Sequence, residues 1–245
     1  MELNPRLKAL KEARVKTGIG GLDERLGGGL PTGSLVLLLS NSETCLRMFS
    51  QQVPYNMAAL GRKVFYVTMI KEPKYIREEM ELYNWRIKAL EEKGTWSFVD
   101  AYTPKVNALL MQQEQTLKFD LSVLIRSEIL SRIEKDEVIV IDSLSDLLLT
   151  QSLISTVELL EIISAQIMRT NGLVFLPMYG EMHDKRDVAI ISHLADVIVE
   201  LVIGEVHFEG KIRFWKMRRA RSEPLFLPFS ITDRGIIAET FTHVV

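Results

Sequence analysis

VKTGIGGLDERLGGGLPTGSLVLLLS, residues 15–40, decides how the rest of the 245-residue chain is read. Its first part, 17–34, is dense in glycine and reads as turns around one short helical piece, LDERL. Its last part, Leu35 to Leu39, is an unbroken apolar run, as expected of a strand buried on both faces of a parallel sheet. The next segment, SNSETCLR (40–47), leads from that strand into a helix. A phosphate-binding loop stands at such a junction and needs glycines, a lysine and then Ser or Thr, as in G-x-x-x-x-G-K-[ST]. Residues 40–47 contain neither glycine nor lysine.

Outward from this stretch, residues 64–69, 96–99, 138–141 and 173–176 predict further strands. Helices are predicted from the end of the turn to residue 60, over 75–92, over 121–135 and over 156–169. The first is stopped by Gly61, and Pro54 is expected to kink it or delay its start. The third has Leu121, Leu124, Ile125, Ile129, Leu130 and Ile133 on one side, and the fourth is closed by Asn171 and Gly172. Four strands with short links follow, 197–202, 205–208, 211–217 and 229–231. Alternating strands and helices imply right-handed crossovers in a parallel sheet, and the late strands an antiparallel extension at one edge. The expected architecture is α/β, a mostly parallel twisted sheet with helices on both faces. One domain spans 17–245, behind an N-terminal arm at 1–16. In such sheets ligands lie at the carboxyl ends of strands, which here are 40–47, 70–72 and 142–145.

The composition, 47% apolar and 25% charged, is that of a globular protein, and a net charge of −2 argues against global electrostatic binding of nucleic acid. The single cysteine excludes an internal disulfide and a cysteine-rich metal site, and suits a reducing, cytoplasmic location. The N-terminus is polar, so no secretory signal is expected. The apolar stretch 188–203 is interrupted by His193, Asp196 and Glu200, so no membrane span is expected. His183, His193, His207 and His243 lack metal-ligand spacing. Cys45, at a possible helix start, is read as a small core thiol before a reactive one.

Residues 15–40 resemble the segment that precedes the phosphate loop in RecA-like ATPases of the KaiC type, roughly TGI-x-x-LD-x-x-L-x-GG-[IL]-P-x-G. Thr17, Gly18, Leu22, Asp23, Gly28, Gly29, Pro31 and Gly33 carry the match. YVTMIKEP (66–73) is similar to the family's second-strand segment, and VIVIDSLSDL (138–147) to its Walker B strand. HLADVIVEL (193–201) and KMRRARSEPLFLPFSITDRGI (216–236) are similar to its C-terminal part. The resemblance implies a RecA-like P-loop NTPase core, Mg-ATP at a subunit boundary, and often ring-shaped oligomers.

It also implies roles. Ser40, Asn41, Ser42, Glu43, Thr44, Cys45, Leu46 and Arg47 stand in place of the phosphate loop, Glu43 bringing negative charge to it. Counting back from Gly61 leaves Leu46 or Arg47 nearest the lysine position, and an arginine fork differs from a lysine point charge. The alternative is a plain strand-to-helix turn without a ligand. Asp142 matches the aspartate that holds Mg²⁺ through water, or else caps the following turn. The family's paired glutamates, in T-F-E-E-x-P, fall on Ile70 and Lys71, neither of which accepts a proton as a general base. Glu72 comes one residue late and faces the other way unless the register shifts. Pro177 and Met178 replace a polar sensor.

Lys216-Met217-Arg218 matches the family's K-M-R motif, which acts in trans on a neighbour's γ-phosphate. Alternation puts Lys216 and Arg218 on one face, with Arg219 and Arg221 on the other. The alternatives are a solvated basic strand end or a phosphate-rich partner such as nucleic acid. Phe214 and Trp215 read as strand packing rather than base-stacking residues.

The leading expectation is a pseudo-ATPase, a regulatory or structural subunit assembling with itself or a paralogous RecA-fold subunit, with no cofactor assigned. The second is an active ATPase that uses Mg-ATP, Arg47 in place of the lysine and Glu72 as base. The third is a DNA-binding recombinase paralogue using residues 211–221, with steep salt dependence.

Overall fold

The structure, a computed structural model, describes residues 13–41, 43–110, 123, 125–130, 134–203, 209–217 and 225–239. Arg14–Val15 (β1) pairs antiparallel with Leu30–Pro31 (β2), around the short helix α1, Leu22–Arg25. The Asp23 carboxylate holds this segment together, accepting from the Thr17 N–H at 2.7 Å, the Thr17 hydroxyl at 2.8 Å and the Gly18 N–H at 3.0 Å. Gly29 has φ +113°, and a Cβ there would lie 2.0 Å from the Val15 carbonyl oxygen. The ribbon therefore closes only on glycine at that position.

The main sheet contains β3 (Ser34–Ser40), β4 (Val64–Thr68), β5 (Trp96–Asp100), β6 (Val138–Asp142), β7 (Leu173–Met178), β8 (Val197–Ile203), β9 (Glu209–Met217), β10 (Leu225–Thr232) and β11 (Gly235–Ala238). Their order is β11-β10-β9-β8-β3-β7-β6-β4-β5. Strands from β8 to β5 run parallel, and β9, β10 and β11 extend the β8 edge antiparallel. The α/β architecture expected from the alternation is the one observed.

The apolar run of β3 feeds both cores. Val36 and Leu38 face α2 (Glu43–Ala59), α3 (Pro73–Leu82) and α4 (Ile87–Glu92), which contribute Phe49, Val53, Met57, Ile76, Met80 and Ile87. Leu35 and Leu37 face the other layer, where α6 (Leu144–Thr150) and α7 (Leu153–Thr170) bury Leu147, Leu159, Leu160 and Ile163. α5 (Tyr102–Leu110) follows β5, and α8 (Lys185–Leu194) lies between β7 and β8.

Helix ends follow local chemistry. The Ser152 hydroxyl accepts from the Ser155 N–H at 3.1 Å and starts α7, and Asn171, at φ 58°, closes it. Pro54 neither delays α2 nor ends it. A proline interior to a helix costs about 3 kcal/mol, which burial of Phe49, Val53 and Met57 at about 1.5–3 kcal/mol each outweighs. The helix expected over 75–92 is two helices, α3 and α4. Asn84 takes φ 59° between them, and Trp85 packs its ring on Tyr83 and Tyr55 at centroid distances of 5.0 and 5.7 Å.

Of the helix expected over 121–135, the described part includes a π-helical turn, Arg126–Leu130. The arm up to residue 12, the strand 205–208, Ser42, Arg218, Arg219, Arg221, His207 and His243 lie outside the described residues. No described helix is long and apolar enough to cross a membrane.

Candidate functional site

The carboxyl ends of β3, β4 and β6 converge on one side of the sheet. Between β3 and α2 stand only residues 41 and 42. The Ser40 hydroxyl donates to the Leu201 carbonyl at 2.7 Å, and Asn41 Oδ1 accepts from the Ile203 N–H at 3.3 Å. Both side chains thus tie the turn to β8. Cys45 and Leu46 are fully buried in the core beneath β3, so Cys45 is a core thiol. α2 begins at Glu43 and carries Thr44 in its first turn. Arg47 is half-buried, and its Nη1 lies 3.2 Å from Glu79 Oε1.

After β4, the Thr68 hydroxyl donates to the Lys71 carbonyl at 2.6 Å and closes a tight turn. Met69 is buried in the opposite core and Ile70 is half-buried. Lys71 Nζ forms an ion pair with Glu79 Oε1, the oxygen that also receives Arg47. Glu72 stands at the N-cap of α3, with Pro73 following at the first helical position, and its carboxylate pairs with Lys74 at 3.0 Å in an exposed position.

Asp142 ends β6 with 3% of its surface exposed, and its Oδ2 accepts from the Tyr66 hydroxyl at 2.6 Å. Burial pushes its carboxyl up from 3.8 to about 6, against the Tyr66 hydrogen bond and the Arg47 charge, while Asp146 and Glu79 push it further up. Burial, then the Asp142 charge, holds the Tyr66 phenol well above its usual range. The peptide bond between Asp142 and Ser143 is cis.

Ser143 caps α6, its hydroxyl accepting from the Asp146 N–H at 3.2 Å and donating to Asp146 Oδ2 at 2.7 Å. Lys105 of α5 lies 3.8 Å from Asp146 Oδ1 and donates to the Met69 carbonyl at 2.5 Å. Pro177 and Met178 belong to β7, and Met178 is buried.

Four participants were not singled out by sequence reasoning: Tyr66, Glu79, Lys105 and Asp146. Tyr66 had a signal. A tyrosine in the middle of a buried strand needs a partner for its hydroxyl, and Asp142 ends the neighbouring strand, directly opposite Thr68. Asp146 had one too, standing three residues after Ser143 in the pattern of a capping box, whereas Glu79 and Lys105 carry none, because an exposed-looking Glu or Lys on an amphipathic helix is ordinary.

Mg-ATP, implied by the resemblance, does not fit this arrangement. The two cations nearest the turn converge on Glu79, the Asp142 carboxyl is buried and held by Tyr66, and residues 40–47 offer neither glycine nor lysine to a phosphate. Among the described residues no group of three His, Cys, Asp or Glu side chains is placed to hold a metal.

Lys216 lies far from this cluster. Its Nζ donates to the Ser192 and His193 carbonyls at 3.3 and 3.0 Å, capping the carboxyl end of α8 of its own chain. A register irregularity between Ile198 and Val199 pairs Ile198 with Lys216 and Val199 with Phe214, passing over Trp215. Period-two alternation therefore fails there. Phe214 is core, but Trp215 is about half exposed, which corrects its reading as strand packing. The Trp215 indole donates to Glu200 at 2.9 Å, and Arg213, paired with Glu200 at 3.2 Å, stacks between Trp215 and Phe226. Phe226 and Ile237 are also about half exposed on this face.

A model of the family described as ATPase: KaiC matches residues 15–240. A UPF0273 protein of Thermotoga maritima is 29% identical over 231 residues, 91% of this chain and 95% of the relative. Another, of Pyrococcus horikoshii, is 30% identical over 232 residues, 91% of this chain and 93% of the relative. The crystal structure of a KaiC-like protein of Pyrococcus horikoshii superposes with a TM-score of 0.69 at 22% identity, covering 94% of this chain and 100% of that one. At that identity the likeness is one of fold.

Proposed function

The chain belongs to the KaiC family of ATPase domains, and from that premise we propose that it is a pseudo-ATPase: a RecA-fold subunit without useful hydrolysis of its own. The observation that carries this reading is the turn after β4. Ile70 and Lys71 stand where the family's glutamates are expected, Lys71 is ion-paired with Glu79, and Glu72 is turned to Lys74 at the surface. No carboxylate of that turn is left to activate a water, and loss of a general base alone lowers a rate by about 10²–10⁴-fold. The burial of Asp142 and the absence of glycine and lysine from 40–47 support the same conclusion. The test is ATP turnover by the purified chain with Mg²⁺, beside an Asp142→Ala variant. The expected result is no turnover above background in either. Mg²⁺-dependent turnover that disappears in Asp142→Ala would sink the reading.

The role is exercised through assembly, with a second copy or a paralogous RecA-fold subunit. The supporting observation is the outer face of β9, β10 and β11, where Trp215, Phe226 and Ile237 are about half exposed around Arg213. Aromatic side chains and arginine are the composition of interface hot spots. Nucleic acid is less favoured there, since Glu200 already balances Arg213. Donation of Lys216 in trans would require it to leave the end of α8. Native mass measurement alone and with candidate paralogues tests this, and a monomer under every condition speaks against it.

A further inference from the structure

Glu79 occupies an unusual position. Arg47, from α2, and Lys71, from the turn after β4, reach it from segments that follow two different strands, and both meet the same oxygen, Oε1. The other oxygen, Oε2, is buried without a hydrogen-bond partner among the described residues. The Glu79 side chain is about one-third exposed, and an ion pair at such a position adds little to stability, so the convergence is poorly explained as a stabilising device. Two cations converging on one point at the carboxyl edge of a parallel sheet form the electrostatic arrangement that receives a phosphoryl group. The carboxylate that fills it is smaller than phosphate and leaves an acceptor unserved.

Resting on the reading of this site as a retired one, we infer that Glu79 is its built-in counter-anion, an intramolecular surrogate for a phosphoryl group that keeps polyphosphate anions off Arg47 and Lys71. The site is then closed by an added occupant as well as by missing parts. Glu79 is a specificity-determining residue: with its charge present Arg47 and Lys71 share an internal anion, and with its charge removed the net positive charge gained there favours a polyphosphate chain.

The experiment titrates inorganic tripolyphosphate into the wild type, Glu79→Gln and the double variant Glu79→Gln/Arg47→Ala, by calorimetry at low ionic strength, with thermal unfolding recorded with and without the anion. Glutamine keeps the volume of the side chain and removes the charge. The expected result is tripolyphosphate binding by Glu79→Gln about ten- to a hundredfold tighter than by the wild type, lost again in the double variant. A folded Glu79→Gln that binds no more tightly than the wild type overturns the inference, and so does tighter binding that survives loss of Arg47. If Glu79→Gln unfolds on its own, a cooperative transition restored by tripolyphosphate supports the inference, and no restoration counts against it.

ATP turnover by the wild type separates the two ideas. Turnover together with a gain of binding in Glu79→Gln defeats the pseudo-ATPase reading and keeps the counter-anion. No turnover together with no gain does the reverse.

Discussion

Asp142 links the chemistry of one side chain to the pH dependence of the whole chain. The groups that face it are the Tyr66 hydroxyl, Arg47, Asp146 and Glu79. Burial dominates, so its folded value, about 6, lies above the ordinary 3.8. A carboxyl raised on folding binds its proton more tightly in the native state. Its favourable contribution is complete below about pH 4 and is lost as pH rises through about 6. Asp142→Asn removes this titration while leaving an oxygen for Tyr66. The stability of the variant relative to wild type is therefore expected to rise between pH 4 and pH 7, by about 3 kcal/mol in full. Urea unfolding of both proteins across that range checks it, and a difference that stays flat with pH rules out a raised Asp142. Carboxylates that do not interact with Asp142 titrate equally in both proteins and cancel in the comparison.

At the scale of elements, the ribbon of β1 and β2 makes the sharpest demand on sequence. Gly29→Ala would force a Cβ onto the Val15 carbonyl, with an expected loss of about 3 kcal/mol, or roughly 10 °C in Tm, measured by thermal unfolding. A loss below about 1 kcal/mol would mean that the ribbon gives way cheaply.

That same stretch was legible in the sequence for physical reasons. The glycines mark turns and the apolar run of β3 suits a strand buried on both faces, whereas the hold of Asp23 on Thr17 and Gly18 came only with the fold. The break at Asn84 was not legible, because amphipathic patterning continues on both sides of it and one residue at positive φ ends the helix. The exposure of Trp215 was hidden by a bulge, which shifts every face assignment beyond it. Glu79 and Lys216 escaped for a common reason: what they do depends on partners brought near only by the fold, Arg47 in one case and the end of α8 in the other.

On the scale of the molecule, a single sheet carries both cores, with β3 contributing to each. The tryptophans mark its two ends. Trp96 is buried in β5, Trp85 is buried with its indole donating to the Arg234 carbonyl at 3.1 Å beside the β10–β11 turn, and Trp215 is half exposed in the antiparallel extension. Unfolding in denaturant is expected to give one transition, coincident for far-ultraviolet circular dichroism and tryptophan fluorescence, in wild type and in Trp215→Phe. Separate midpoints would divide the chain into an extension that melts apart from the parallel sheet.

The short link between β3 and α2 also bears on how this molecule can change. Point substitution replaces side chains but leaves the reach of the chain as it is, and here Asn41 and the buried Cys45 hold both ends in place. Refitting a phosphate cradle therefore takes an insertion at residues 41–42, coordinated with the removal of a carboxylate on a different helix. On the counter-anion inference the second step alone admits a polyphosphate chain, and the first is what would shape a cradle around it. Two changes on separate segments are harder to reach together than one, so substitution on the outer surfaces is the easier course for this chain.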